Sequence, residues 1–186
     1  MKSSLGNPDF LIIGGGIFGC SIAWNLARRS SGSVLLLERR ELATATTPRA
    51  AGLIRNLNLK KGQTPLKTLT IEAISLLGEE LEETLQWHQV GGLLVAKSEA
   101  NIMHLETLER HAIEHRQKFQ WIDRTDAEEL VPWLDGASAG KFALLPDDGF
   151  IDPYLFTQFY ARAARKHGAL LKTGIEVTAL QNSGNR

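Results

Sequence analysis

The first forty residues contain two short apolar runs and, between them, one segment with helical periodicity. Residues 10–13 and 34–37 are continuous apolar runs, which is typical of strands buried on both faces of a parallel sheet. The segment between them predicts a helix whose buried face holds Ile22, Ala23, Leu26 and Ala27. The pattern therefore predicts a strand–helix–strand unit.

The rest of the chain continues as a mixture of helices and strands. Apolar spacing predicts helices over 64–87 and 99–117, with a strand over 92–97 between them. A short helix is expected from Asp126, and a longer one from Pro153. The expected core side chains include Leu66, Leu69, Ala73, Leu76, Leu77, Leu81, Leu85, Ile102, Leu105, Leu108, Ala112, Ile113, Trp133, Phe142, Phe156, Tyr160 and Ala163. The expected solvated face of the 64–87 helix holds Glu79, Glu80, Glu82 and Glu83.

Composition narrows the class of protein. Of the 186 residues, 43% are apolar and 23% are charged, which excludes a disordered tail or a low-complexity linker. Twenty-one basic residues balance 21 acidic ones, so no global field attracts nucleic acid or an anionic membrane. Glycines interrupt the apolar stretch 10–24, so no membrane segment or signal peptide is expected. Cys20 is the single cysteine, so we expect no internal disulfide, a buried thiol and a cytoplasmic location.

A glycine-rich turn joins the first predicted strand to the first helix. Gly14, Gly16 and Gly19 fill the pattern G-x-G-x-x-G. The first glycine permits a tight turn, the second lets the backbone approach a pyrophosphate, and the third lets the helix pack against the sheet. We expect N–H groups at Ile17 and Phe18 to be free to face the phosphates. The alternative is a glycine turn that merely permits packing.

An acidic residue ends the second predicted strand. Glu38 lies 24 residues after Gly14, where its carboxylate can accept hydrogen bonds from ribose hydroxyls and would repel a 2′-phosphate. The sequence therefore favours FAD or NAD over NADP. Residues 39–55 form a hydroxyl-rich loop of small residues instead of a second crossover helix, which favours FAD. A NAD-dependent dehydrogenase stays open as an alternative.

The order of these segments resembles the FAD-dependent oxidoreductases of the D-amino acid oxidase type, which include glycine oxidase, sarcosine oxidase and D-amino acid dehydrogenase. The matching segments are 12–19, 37–39, 46–47, 51–53, 90–96, 146–153, 168–169 and 174–177. The resemblance implies an α/β fold, in which a Rossmann-like parallel FAD-binding sheet carries an inserted α+β substrate domain. The implied division is FAD-binding over 1–87, substrate domain over 88–145, and FAD-binding again over 146–186.

The resemblance also implies a cofactor site and a reaction. The implied FAD contacts are Gly14, Gly16, Ile17, Phe18, Gly19, Glu38, Arg39, Thr46, Thr47, Ala51, Gly52, Leu53 and Val177. Arg55 is implied to hold the carboxylate of the substrate, and Arg49 is a weaker candidate. The implied reaction oxidises the C–N bond of an amino acid or related amine by hydride transfer to flavin N5. No catalytic acid or base is assigned.

Members of the family are much longer than this chain, so we expect an N-terminal portion of such a protein. The alternative function is then a non-catalytic FAD-binding fragment, or a subunit that needs another chain. The implied partners are a small amine substrate and either an electron acceptor or a partner subunit.

One further motif lies outside this resemblance. Residues 111–115 spell H-x-x-E-H, the inverted zinc-protease pattern. His111 and His115 share a helix face, but the charged residues around them favour an exposed flank. The sequence therefore predicts no metal site.

Overall fold

The structure is a computed structural model, and it describes residues 7–59, 63–134 and 140–181. These residues divide into two compact units. The first holds the described residues up to Ala51, then Leu76–Leu85 and those from Asp152 onward; the second holds those of Gly52–Ser75 and Gln86–Ile151. The elements in chain order are β1 (Phe10–Ile13), α1 (Ile17–Arg29), β2 (Val34–Leu37), a 3-10 turn (Thr47–Arg49), β3 (Leu53–Ile54), α2 (Gln63–Leu81), β4 (Gly92–Ala96), α3 (Glu99–Glu114), β5 (Gln120–Ile122), α4 (Arg124–Leu130), β6 (Lys141–Leu145), β7 (Gly149–Phe150), α5 (Pro153–Lys166) and β8 (Leu170–Lys172).

The first unit is built on a parallel sheet in the order β1–β2–β8. All of β2 is buried, as expected, because strands flank it on both sides. The expectation that β1 is buried on both faces is wrong, since Leu11 and Ile13 are about half exposed. Among the described residues β1 has a neighbour on one side only, and Ile12 alone is buried beneath the first turn of α1.

The buried face of α1 differs from the predicted one. Cys20, Ala23 and Trp24 are buried, whereas Ile22 is about half exposed. The helix packs against α5 as well as the sheet, with the rings of Trp24 and Tyr160 5.4 Å apart. Because of this second contact, the buried face of α1 includes Trp24 in place of Ile22. Burial raises the pKa of the Cys20 thiol to about 12, so this side chain is an inert part of the core.

Helix α2 ends at Leu81, not at Trp87 as predicted. Glu82 adopts a left-handed conformation with φ of 55°, and the N–H of Glu83 donates to the carbonyl of Gly78 (3.0 Å). This is the hydrogen-bond pattern that closes a helix C-terminus. Three further expectations fail on this helix, because Leu66, Leu69 and Leu76 are exposed.

The second unit contains an antiparallel sheet in the order β4–β6–β5, and α3 packs on it. Its core holds Leu57, Ala96, Leu105, Leu108, Ala112, Ala143 and Leu145. Two predicted core residues are not buried, since Ile113 points outward from α3 and Trp133 is 86% exposed. Side-chain caps fix the starts of α3 and α4, where Ser98 and Asp123 accept backbone N–H groups three residues on.

The two units have boundaries after Ala51, Ser75, Leu85 and Ile151. The expected domain division, with boundaries after residues 87 and 145, concerns functional domains and stays a prediction. Residues 52–75, expected in the first FAD-binding segment, belong to the second unit. They do so because β3 pairs antiparallel with β7, with Leu53 opposite Phe150. No helix in the described part of the chain combines the length and apolarity needed to cross a membrane.

Candidate functional site

A cleft of about 540 Å³ opens beside the carboxyl ends of β1 and β2 in the first unit. This is the edge at which parallel α/β sheets bind ligands. The predicted cofactor residues that line the cleft are Gly14, Gly16, Ile17, Phe18, Gly19, Glu38, Arg39, Thr46 and Thr47. Residues from three separate segments therefore converge on one concave surface.

Four other predicted cofactor residues lie outside this cleft. Val177 lines an adjoining cavity of about 260 Å³ together with Gly14, Glu38 and Arg39. Its segment reaches the strand ends because the N–H of Ile175 donates to the carbonyl of Glu38 (2.9 Å). The remaining three lie at or beyond the edge of the first unit and are Ala51, Gly52 and Leu53.

Backbone geometry explains the glycines of the turn. Gly14 has φ of +106°, a conformation that side chains disfavour. A Cβ at Gly19 would lie 1.9 Å from the carbonyl oxygen of Gly14, so α1 can begin this close to the strand only without a side chain there. A Cβ at Gly16 would lie 3.1 Å from the hydroxyl of Thr47. The turn therefore exposes backbone to the cleft where a side chain would fill it.

The carboxylate of Glu38 is held by the backbone around it. Its Oε2 accepts the N–H of Gly15 (2.6 Å), and its Oε1 accepts the N–H of Arg40 (2.9 Å). Burial opposes ionisation, but these two bonds and the charge of Arg39 outweigh it and lower the pKa of Glu38. The side chain is thus an oriented anion at the rim of the cleft, and each oxygen keeps a lone pair for a further donor.

Thr47 closes the other side of the cleft. Its hydroxyl accepts the N–H of Ile17 (3.2 Å), so the expectation that this N–H is free is wrong in this structure. The loop that carries Thr47 comes from 30 residues further along the chain, a contact that local sequence does not reveal. Phe18 remains 83% exposed at the mouth of the cleft.

The predicted substrate residue, Arg55, belongs to the second unit and is exposed. Its charge lies near Asp148, a carboxylate that was not among the predicted site residues and that is only 4% exposed. Burial raises the pKa of Asp148, although the N–H of Asn56 (2.7 Å) and the charges of Arg55 and Lys67 act in the opposite direction. Arg49, the weaker candidate, donates to the carbonyl of Ala45 (2.6 Å).

Glu80 is a second residue whose role the sequence did not indicate. Its carboxylate accepts the indole N–H of Trp24 (2.8 Å) and a guanidinium N–H of Arg28 (3.1 Å), and it lies 3.1 Å from Nε2 of His167. The expectation that Glu80 belongs to a solvated face is therefore wrong. Its neighbour in the predicted face, Glu83, pairs with Arg162.

The chain is similar to known proteins along nearly its whole length. Residues 9–186 match the protein family described as FAD dependent oxidoreductase. The chain is 33% identical over 177 residues to mitochondrial dimethylglycine dehydrogenase of Mus musculus, covering 93% of this chain and 20% of that protein. It is 31% identical over 182 residues to one of the subunits of anaerobic glycerol-3-phosphate dehydrogenase of Escherichia coli K12, covering 96% of this chain and 32% of that protein.

Solved structures give the same picture of the fold. L-proline dehydrogenase from P. horikoshii superposes with a TM-score of 0.85 at 26% identity, covering 92% of this chain and 45% of that chain. This likeness confirms the predicted α/β fold class. The chain spans about a fifth to a third of the two curated relatives described above.

Proposed function

The chain belongs to the FAD dependent oxidoreductase family, and from this premise we propose that it serves the oxidation of a C–N bond in an amino acid or related amine. The predicted cofactor, FAD, is that of the family. Two of the compared proteins are named for dimethylglycine and L-proline, which each carry an amine and a carboxylate. These names support the amine class over other reduced substrates.

The observation that carries the proposal is the glycine turn after β1, where backbone atoms and not side chains face the cleft. The space beside Gly16 and the φ of Gly14 fit the close approach of a pyrophosphate, and the N-terminus of α1 favours its negative charge. Glu38, already oriented by two backbone N–H groups, would accept ribose hydroxyls. These residues therefore fit a dinucleotide such as FAD.

Each remaining residue has a role in this proposal that its position suggests. Thr46 and Thr47 present hydroxyls to the cleft, and Arg39 adds a cation at its rim. Val177, Ala51, Gly52 and Leu53 would contact other parts of the cofactor. Bound FAD would supply the hydride acceptor, its flavin N5.

The protein's own contribution is orientation and exclusion of water. Arg55 would hold the substrate carboxylate with its guanidinium fork, which matches a carboxylate bidentately. The nearby charge of Asp148 attracts that cation electrostatically. The complete enzyme would also need an electron acceptor or a partner subunit.

Replacing Glu38 with alanine is expected to weaken FAD binding by about tenfold or more, because two oriented acceptors for ribose hydroxyls are lost. The measurement is the visible spectrum of the purified chain after incubation with FAD and desalting, followed by titration of flavin fluorescence. Glu79→Ala is the matched control, since Glu79 is exposed and lies outside the cleft. Equal FAD retention in both variants would contradict the assignment of Glu38.

Replacing Arg55 with lysine is expected to raise KM about tenfold for amines that carry a carboxylate, because a single ammonium cannot match both oxygens. The readout is anaerobic bleaching of the bound flavin by dimethylglycine, sarcosine and L-proline, with amines that lack a carboxylate as the insensitive set. Arg110→Lys, at an exposed position on α3, is the control. A variant that affects both classes of amine equally would remove Arg55 from the carboxylate site.

The same assay separates the alternatives. A chain that retains FAD but is bleached by none of the amines would support a cofactor-binding portion that needs another chain. Bleaching by glycerol 3-phosphate alone would overturn the amine proposal. A chain that binds NAD in place of FAD would overturn both the assignment of FAD as the cofactor and the proposed flavin-dependent oxidation.

A further inference from the structure

We propose that His111, Glu114 and His115 form a binding site for a divalent transition metal ion, with Zn²⁺ as the representative case. The three residues lie at the C-terminal end of α3 in the second unit. One potential ligand atom from each lies within 4.8 Å of the other two. The proposal is independent of the FAD site, because the two share no residue.

Helix geometry brings these side chains together. His111 and His115 are one turn apart, and their ring centroids are 4.3 Å from each other at an interplanar angle of 62°. Nδ1 of His111 lies 3.7 Å from a carboxylate oxygen of Glu114. Ligands at about 2.0–2.2 Å from a tetrahedral zinc ion are about 3.4 Å apart, so small side-chain rotations complete the site. The Glu114 side chain is 74% exposed and has room for such a rotation.

A buried hydroxyl lies beside one ring nitrogen of His111. Thr64 is almost fully buried, and its hydroxyl oxygen lies 3.2 Å from Nε2 of His111. The same oxygen lies 3.0 Å from the carbonyl of Asn58 and accepts the N–H of Asn58 (3.2 Å). A hydroxyl oxygen can accept the N–H of an imidazole, so Thr64 is placed to hold His111 with Nε2 protonated and Nδ1 available as a ligand.

Nδ1 of His111 lies on the side of the ring where the Glu114 carboxylate lies. An imidazole nitrogen and a carboxylate oxygen both offer lone pairs that one metal ion can bind. The imidazole of His115 supplies a third ligand atom at the same point, and imidazole is a common ligand of zinc, copper and nickel.

The surroundings match what metal-binding histidines require. A histidine ligand usually donates its other ring N–H to an oxygen, which fixes the ring orientation, and Thr64 supplies that oxygen. The side chain of His111 is only 17% exposed, so the exposed flank expected from the sequence does not describe this residue. A cavity of about 360 Å³ beside His115 leaves space for water as a further ligand.

Calorimetric titration of the tag-free full chain with Zn²⁺ tests the site, and Co²⁺ absorption reports its geometry. We expect one equivalent to bind and His115→Ala and Glu114→Ala each to weaken binding by about tenfold or more. Glu114 is exposed and His115 is half-buried beside a cavity, so the folding of each variant is verified by circular dichroism before titration. His104→Ala is the matched control, because His104 is an exposed histidine of the same helix outside the cluster.

Two results would overturn the proposal. The first is the absence of binding at millimolar Zn²⁺, which would mean that the three side chains are neighbours on the helix without a metal-binding role. The second is binding that both variants leave unchanged, which would place the ion elsewhere. Neither outcome depends on FAD or on catalysis, so it is distinguishable from a failure of the proposed function.

Discussion

Gly19→Ala is expected to destabilise the first unit by about 2–3 kcal/mol, although glycine-to-alanine changes in helices usually stabilise by about 1 kcal/mol. The added methyl would lie 1.9 Å from the carbonyl oxygen of Gly14, well inside van der Waals contact. The obstructing atom is backbone, so no side-chain rotation relieves the clash. The turn or the start of α1 must therefore move, and the shape of the cleft changes with it.

Urea unfolding followed by circular dichroism measures this change in the free energy of unfolding. Ser21→Ala is the control, because Ser21 lies two residues further along α1 and only its hydroxyl bond to the Phe18 carbonyl is lost. We expect the control to stay within about 0.5 kcal/mol of the parent chain. A Gly19 variant as stable as the parent would show that α1 can begin further from the sheet.

Glu80→Ala is expected to cost about 2–3 kcal/mol at neutral pH, mainly by removing the acceptor of a buried indole N–H. Trp24 is 2% exposed, and its Nε1 donates to Glu80 over 2.8 Å. Arg28 and His167 lose the same carboxylate. Glu79→Ala, one residue earlier and exposed, is the matched control and is expected to change stability little.

The effect of Glu80 is also expected to depend on pH. Burial opposes its ionisation, but the bonds from Trp24 and His167 and the charge of Arg28 lower its pKa below the ordinary value. A carboxyl with a lowered folded-state pKa stabilises the protein above its unfolded-state pKa of about 4.3, and this contribution is lost as the pH falls through the folded-state value. The stability difference between parent and Glu80→Ala should therefore narrow below about pH 4. A difference that stays constant down to pH 3 would contradict this account.

Local chemistry explains which features the sequence predicted. The strand, turn, helix and second strand of the first forty residues depend on apolar runs and on glycines, and both act over a few residues. The starts of α3 and α5 were predictable for the same reason, since Ser98 and Asp152 cap backbone N–H groups three residues away. A match that spans residues 9–186 agrees with the family resemblance.

Contacts between distant segments explain what the sequence missed. The packing of α5 selected Trp24 in place of Ile22 for the buried face of α1, because a helix with two neighbours buries a different stripe. Asp148 lies 92 residues from Asn56, whose N–H it accepts, and Glu80 lies 56 residues from Trp24. Hydrophobic periodicity does not predict contacts between residues so far apart in the sequence.

The sequence by itself determined the βαβ unit, the glycine turn and the acid at the end of β2, since each is a short-range pattern of backbone and side-chain preference. The tertiary structure alone decided that Thr47 accepts the N–H of Ile17, that Glu80 lies within hydrogen-bond distance of Trp24, Arg28 and His167, and that Thr64 lies beside Nε2 of His111. Each of these contacts depends on which hydrogen-bond partner lies within reach. The partner is determined only when segments tens of residues apart pack together and exclude water.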